Sequence, residues 1–246
     1  MINIKRGVRS SVPHPTALIP HDIVDSRVLR ESLYRLGLWV ADHGLTGEGQ
    51  FQAARDLLLR ARPRALTANL TTMIGENGQL TEAARKLVHS LPVKASVLPI
   101  QGPPGSGKTF TGARMIVELA RSGRRVGITA ASHKVISNLL GEVCKVANEL
   151  RVSLACVQKP NGDDGCQHKL VTLVDSNDAV RDALTNGSAK VAAGSAWLWA
   201  REEMADSIDV LFVDEAGQMS LANVLAISPA ATSIVLLGDP QQLDQP

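Results

Sequence analysis

The feature that most limits how this chain can fold is the octapeptide Gly102-Pro103-Pro104-Gly105-Ser106-Gly107-Lys108-Thr109. It satisfies GxxxxGK[ST] and stands between an apolar run, Val97 to Ile100, and a helical pattern that closes near Gly123. A polyphosphate is bulky and anionic, so a loop that cradles one needs glycines that let backbone N–H groups converge without Cβ obstruction. The helix after the loop adds the positive end of its dipole. In this arrangement Lys108 supplies a charge to the outer phosphates and Thr109 a hydroxyl to magnesium.

The strand–loop–helix context sets the expectation for the rest of the chain. Val126 to Thr129, Lys190 to Ala193, Val210 to Val213 and Ile234 to Leu237 are short apolar runs suited to strands buried on both faces. Helical patterns at Thr81 to Leu91, His133 to Leu150, Ala196 to Ala205 and Leu221 to Ile227 alternate with them, which predicts an α/β fold with a mainly parallel sheet flanked by helices. Lys159 to Lys169 reads as the longest loop. Ahead of this lies a smaller helical region, Met1 to Arg64, with apolar residues at three- and four-residue steps in Leu33, Leu36, Trp39, Val40 and again in Phe51, Ala54, Leu57, Leu58. That region holds ten Lys and Arg against six Asp and Glu, and its stretch Arg55 to Arg64 reads either as a solvated face or as a phosphate-contacting one. The domain boundary is expected between residues 64 and 65.

Two further strand ends carry chemistry. VLFVDEAGQ, residues 210–218, is an apolar strand delivering Asp214 and Glu215 to the C-terminal edge of a parallel sheet, the edge on which the phosphate loop lies. There Asp214 can hold the magnesium shell and Glu215 can orient, or accept a proton from, an attacking water. The third run ends in GDPQQL, residues 238–243, and Gln242 has an amide able both to donate to a terminal phosphate and to accept from water.

GPPGSGKT, VDEAGQ and GDPQQL, in this order and each after a strand, together resemble motifs I, II and III of superfamily 1 helicases. The DEAG form with its following glutamine is similar to the branch that contains RecB-like nuclease–helicase fusions and the nonsense-mediated-decay type of helicase. The resemblance covers roughly Leu80 to the end and implies the first RecA-like ATP-binding domain of a DNA helicase, with ATP and Mg2+ as cofactors and Gln218 joining the nucleotide site. ITAASHK, residues 128–134, resembles motif Ia, which implies strand contacts by Thr129, Ser132 and His133; AGSAW, residues 193–197, resembles a further strand-contacting motif with Ser195 and Trp197. His133 and Lys134 read equally as helix-start residues, and Trp197 and Trp199 either stack on bases or pack in a core. In the segment before motif I, where the family carries an adenine-recognising glutamine, Leu80 to Arg85 has none in register, Gln79 lying just ahead.

The partners implied are single-stranded DNA, with RNA left open, a second RecA-like domain supplied by a continuation or by another chain, and a nuclease domain. Pro246 comes directly after motif III, so the expectation is a domain truncated there, binding ATP with feeble turnover by itself. The alternatives are an ATP-binding switch or assembly domain acting on a protein partner, or a gene fragment without activity. A net charge of +2 excludes a protein that holds duplex DNA by overall charge. Three cysteines without a CxxC pair favour neither a disulfide framework nor a structural zinc, and fit a reducing cytoplasm. Cys166 and His168 resemble a ligand pair only superficially. No apolar run reaches the roughly 18 residues of a membrane span.

Overall fold

Seven short apolar segments pair side by side into one sheet, and every neighbouring pair is parallel. The structure, a computed structural model, describes residues 25–64, 88–91 and 95–239. The strands are β1 (Val97–Gln101), β2 (Val126–Ala130), β3 (Cys156–Gln158), β4 (Val171–Leu173), β5 (Val191–Ala193), β6 (Ile208–Asp214) and β7 (Ala231–Gly238), in the spatial order β1-β7-β6-β2-β5-β3-β4. The fold is the α/β parallel sheet of a RecA-like P-loop domain. The motif II strand β6 lies between β7 and β2, and β7 separates it from the phosphate-loop strand β1.

The central strands read as continuous apolar runs because helices cover both faces. Strand alternation divides the core in two. Leu98, Ile128, Val210, Phe212, Val235 and Leu237 face one layer, made by α3 (Lys108–Arg121) and α4 (His133–Glu149). Val97, Leu211, Val213 and Ile234 face the other. That second layer holds α5 (Asn177–Thr185), α6 (Ala196–Trp199) and α7 (Leu221–Ile227). It also holds Leu29 of α1 (Arg27–His43) and Ala53 of α2 (Gln52–Leu58), so the N-terminal helices are part of the covering of the sheet. Two hydrogen bonds fix them there: Ser32 Oγ donates to the Ala226 carbonyl at 2.6 Å, and the Arg64 N–H donates to Ser96 Oγ at 2.9 Å.

Several expectations change. Strands β3 and β4 and helix α5 were not anticipated: Cys156–Gln158 and Val171–Leu173 each include a polar residue, unlike the equally short but wholly apolar β5. Helix α6 stops at Trp199, with a separate 3-10 turn at Glu202–Met204 in place of a helix reaching Ala205. The expected helix Thr81 to Leu91 lies mostly outside the described residues. The arginine stretch is neither of the surfaces proposed for it at its first member: Arg55 is fully buried. Its guanidinium donates to the carbonyls of Gln50 (3.1 Å), Leu45 (2.9 Å), Gly47 and Gly49 (3.3 Å) and to Gln52 Oε1 (2.8 Å), with the Trp39 ring 4.6 Å away. The glycine-rich turn between α1 and α2 supplies those acceptors, and their dipoles replace the water that burial removes. Arg64 instead forms a bidentate pair with Asp56, at 2.7 and 3.1 Å.

Candidate functional site

Because all strands are parallel, their C-terminal ends open on one rim. Register aligns Gln101 with Gly238, Val213 with Leu236, Ala130 with Asp214, and Gln158 with Ala193. The phosphate loop, the acidic turn and the starts of motif Ia and of the AGSAW segment therefore leave the sheet on the same side.

The loop after β1 has the conformation its glycines predict. Gly107, which caps α3, has φ +81°, in the left-handed region where a side chain is strained. A Cβ on Gly102 would meet Ser106 Oγ at 2.5 Å, so the turn closes only around a bare α-carbon. Pro103, Pro104, Gly105 and Ser106 are exposed, while Lys108 and Thr109 are half-buried at the helix start. The Lys108 ammonium donates to the carbonyls of Gly102 (2.6 Å) and Pro103 (2.9 Å), which holds it over the loop.

Asp214 ends β6 with 5% of its surface exposed. Burial pushes its carboxyl above the usual carboxylate range, opposed by the Glu215 N–H; the neighbouring Glu215 carboxylate adds to the rise, and the positive charge of Lys108 works against it. The influence of Lys108 shows that the phosphate-loop lysine lies within electrostatic reach of the carboxylate at the end of β6. The Glu215 N–H donates to Asp214 Oδ1 at 3.0 Å, and Glu215 itself has φ +48°, a costly conformation for a non-glycine residue. Asp239 lies buried at the end of β7. Gln242 lies outside the described residues.

Beside this rim is a cleft of about 500 Å³ lined by Ser132, His133, Ser195, Trp197 and Gln218 together with Lys159, Asn161, Ser220 and Asn223. Four of the five strand-contact candidates thus come together. Thr129 does not join them: it is fully buried in β2 between β5 and β6, and its Oγ1, without a hydrogen-bond partner among the described residues, has no exposed surface with which to touch a strand. Gln218, expected at the nucleotide, lines the cleft wall, at the end of the 3-10 turn Ala216–Gln218 that follows Glu215.

Ser132 caps α4 by accepting from the Val135 N–H at 3.3 Å. His133 is next, its Nδ1 buried without a hydrogen-bond partner among the described residues, and burial keeps its pKa below the usual histidine value; Asp164 raises it and Lys159 lowers it. Trp197 is half-buried, and its indole N–H donates to the Asp25 carbonyl at 2.8 Å. Trp199 is fully buried and bonded to the carbonyls of Ile128 and Gly194, both at 3.2 Å, which makes it core.

The sequence reading missed Lys159, Asn161, Ser220 and Asn223. Ser220 and Asn223 open α7 just after DEAGQ, and proximity to that motif was the available signal. Lys159 and Asn161 come after β3, which was not anticipated. The three cysteines, all free and buried, converge from α4, β3 and the loop beyond it. The Cys156 thiol donates to Cys144, which holds Cys144 below the ordinary thiol range and Cys156 well above it, while burial pushes Cys166 up.

A sequence model of the family described as an AAA domain matches residues 76–245. Comparison with curated proteins finds no match. Among solved structures, the chain is similar to the arterivirus nonstructural protein 10, a helicase, in complex with DNA, at 16% identity and a TM-score of 0.38 over 63% of this chain and 32% of that one. It is also similar to a nuclease-deletion mutant of the Type ISP restriction-modification enzyme LlaGI in complex with a DNA substrate mimic, at 14% identity and a TM-score of 0.42 over 64% of this chain and 17% of that one. A third likeness is to the kinase domain of the Escherichia coli tyrosine kinase ETK, at 16% identity and a TM-score of 0.30 over 88% of this chain and 97% of that one. The chain spans about a third and about a sixth of the length of the first two. No helix among the described residues is long and apolar enough to cross a membrane.

Proposed function

This chain belongs to the AAA domain family, and we propose that its P-loop domain is one half of an ATP-hydrolysing motor that grips single-stranded DNA. The observation that carries the reading is the turn from Asp214 to Gln218. One end senses the charge of Lys108, and four residues later the other end lines the cleft with Ser132, His133, Ser195 and Trp197. A change at the terminal phosphate can therefore reach the strand through one short segment.

In this mechanism Lys108 exchanges the carbonyls of Gly102 and Pro103 for phosphate oxygens, and the loop N–H groups and the start of α3 hold the remaining phosphate charge. Thr109 and Asp214 fit a magnesium ion, being hard oxygen donors, one of them a buried carboxylate at the end of β6. Magnesium, when bound, supplies the charge neutralisation that phosphoryl transfer needs. Glu215, presented by its left-handed backbone beside Asp214, orients the attacking water and accepts its proton. Gln242 senses the terminal phosphate. Trp197 offers an aromatic face to a base, while Ser132 and Ser195 offer hydroxyls to the strand backbone. A second RecA-like half, with a transition-state arginine, completes the motor, and residues 65–246 form the domain that docks against it.

The test is linkage between the two sites. Saturating oligo(dT) should tighten ATP binding several-fold, the usual size of a coupling between sites. Glu215→Gln should retain that binding and lower strand-stimulated turnover, measured with the second half present, by roughly 10²–10⁴-fold. An ATP affinity indifferent to bound oligonucleotide would remove the motor reading.

A further inference from the structure

We infer that Lys159 is the phosphate anchor of the cleft and fixes one end of the strand's path across the rim, an inference that rests on the strand-gripping reading above. Lys159 belongs to none of the motifs in the chain. It is the first residue after β3, and its mounting is rigid. Its N–H donates to the Ala193 carbonyl at 3.0 Å, which extends the β3–β5 pairing by one residue. Gln158 just before it is fully buried, donating from Nε2 to Ser137 Oγ at 2.8 Å and accepting the Cys166 N–H on Oε1 at 2.8 Å. Pro160 restricts the backbone on the other side. A fixed backbone sets the point from which the lysine side chain reaches into the cleft, though the side chain itself still has to order when it meets a phosphate.

Its charge is also uncommitted. Among the described residues Lys159 has no carboxylate in ion-pair distance. It stands on the wall between the cleft and a second cavity of about 380 Å³, and the two cavities differ in charge. The second carries Asp175, Asp178 and Glu203 alongside Arg181 and Arg201, and Arg181 is already paired with Asp178 at 3.2 Å and Asp182 at 3.1 Å. A polyanion gains nothing by entering it. Among the described residues the cleft is lined by no carboxylate; besides His133 and Lys159 its polar lining is the neutral set Ser132, Asn161, Ser195, Gln218, Ser220 and Asn223. Burial lowers the pKa of His133, with Asp164 pulling against the fall and the charge of Lys159 adding to it. Lys159 is therefore the one lysine or arginine that lines the cleft among the described residues, and the strand turns away beyond it.

One cation makes a quantitative expectation. Each phosphate neutralised on a single strand gives a slope of about −0.7 in log affinity against log salt, so one contact contributes about fivefold at roughly 0.1 M salt and nothing near 1 M. Binding of a fluorescein-labelled oligo(dT) to the full chain, titrated across roughly 0.05–1 M monovalent salt, reads this directly. The wild-type slope should be near −0.7. Lys159→Ala should bind about fivefold more weakly at 0.1 M and be almost indifferent to salt, the two lines meeting near 1 M, while Lys159→Arg restores the slope. Thermal melting reports that the variants are folded. If the wild type binds and Lys159→Ala keeps its affinity and slope, the anchor assignment is overturned and the strand-gripping reading stands. A wild-type slope steeper than about −2 also overturns it, because several cations would then be engaged. If the wild type fails to bind the oligonucleotide at any salt, the strand-gripping reading falls and takes the anchor with it.

Discussion

Two glycine-rich loops in this molecule wrap backbone carbonyls around a cation, and they serve opposite ends. Between α1 and α2 the turn Gly44 to Gly49, with Gln50 and Gln52 beyond it, closes five acceptors on the Arg55 guanidinium, which has no exposed surface. After β1 the loop Gly102 to Gly107 places two carbonyls on the Lys108 ammonium, which stays half-exposed beside a charged rim. The number of acceptors and the access of water separate the roles. A cation with every donor satisfied inside the protein is a structural centre that nothing displaces. One with two acceptors and an open side can trade them for a ligand. Glycine content and a nearby basic residue, common to both, do not tell which is which.

That contrast is open to direct attack. Arg55→Ala should cost roughly 3 kcal/mol of stability, since it strands buried carbonyls, and leave nucleotide affinity intact at temperatures where the variant is folded. Denaturant melts and ATP titrations on the same sample check both halves, and a variant with wild-type stability would show the loop to be self-supporting. Lys108→Ala should do the reverse: ATP affinity falls by roughly 10–100-fold, the worth of a hydrogen bond to a charged group, while the melting temperature stays close to wild type. Unchanged affinity would remove the cradle assignment. A smaller effect distinguishes the acid across the rim. Because the Asp214 carboxyl is raised in the folded state, the native protein holds its proton more firmly than the unfolded chain does. Its ionisation therefore lowers stability as pH rises from the unfolded carboxylate range through the folded value, and that loss persists at neutral pH. Asp214→Asn should melt slightly higher than wild type at pH 7, converge with it in acid, and bind ATP–magnesium more weakly. A variant less stable at neutral pH would reverse the sign of this argument.

Most of the sheet was legible because its long strands are apolar on both faces and their ends carry short motifs whose residue types the chemistry demands. Lys108, Thr109, Asp214 and Glu215 fall in this class. The cleft was legible only in part. Ser132, His133, Ser195 and Trp197 came from the family resemblance, but Lys159 and Asn161 hang from β3, whose three residues give no alternation to read. Thr129 is set apart from the other strand-contact candidates because its motif fixes the order of residues along the chain, whereas register fixes which of them reaches the rim. β2 is buried along its whole length, so only the residues beyond Ala130 emerge. Arg55 was misjudged for a related reason: a run of arginines says nothing about which member a folded turn will enclose.

The bond from the Trp197 indole to the Asp25 carbonyl has a consequence for how the ends of the chain communicate. The bond ties one edge of a ring that lines the cleft to the entrance of α1, so a displacement of that entrance bears directly on the cleft wall. On the proposed reading, trimming the protein ahead of Arg27 removes the Asp25 carbonyl and should weaken the hold on a strand while leaving every atom of the phosphate loop in place.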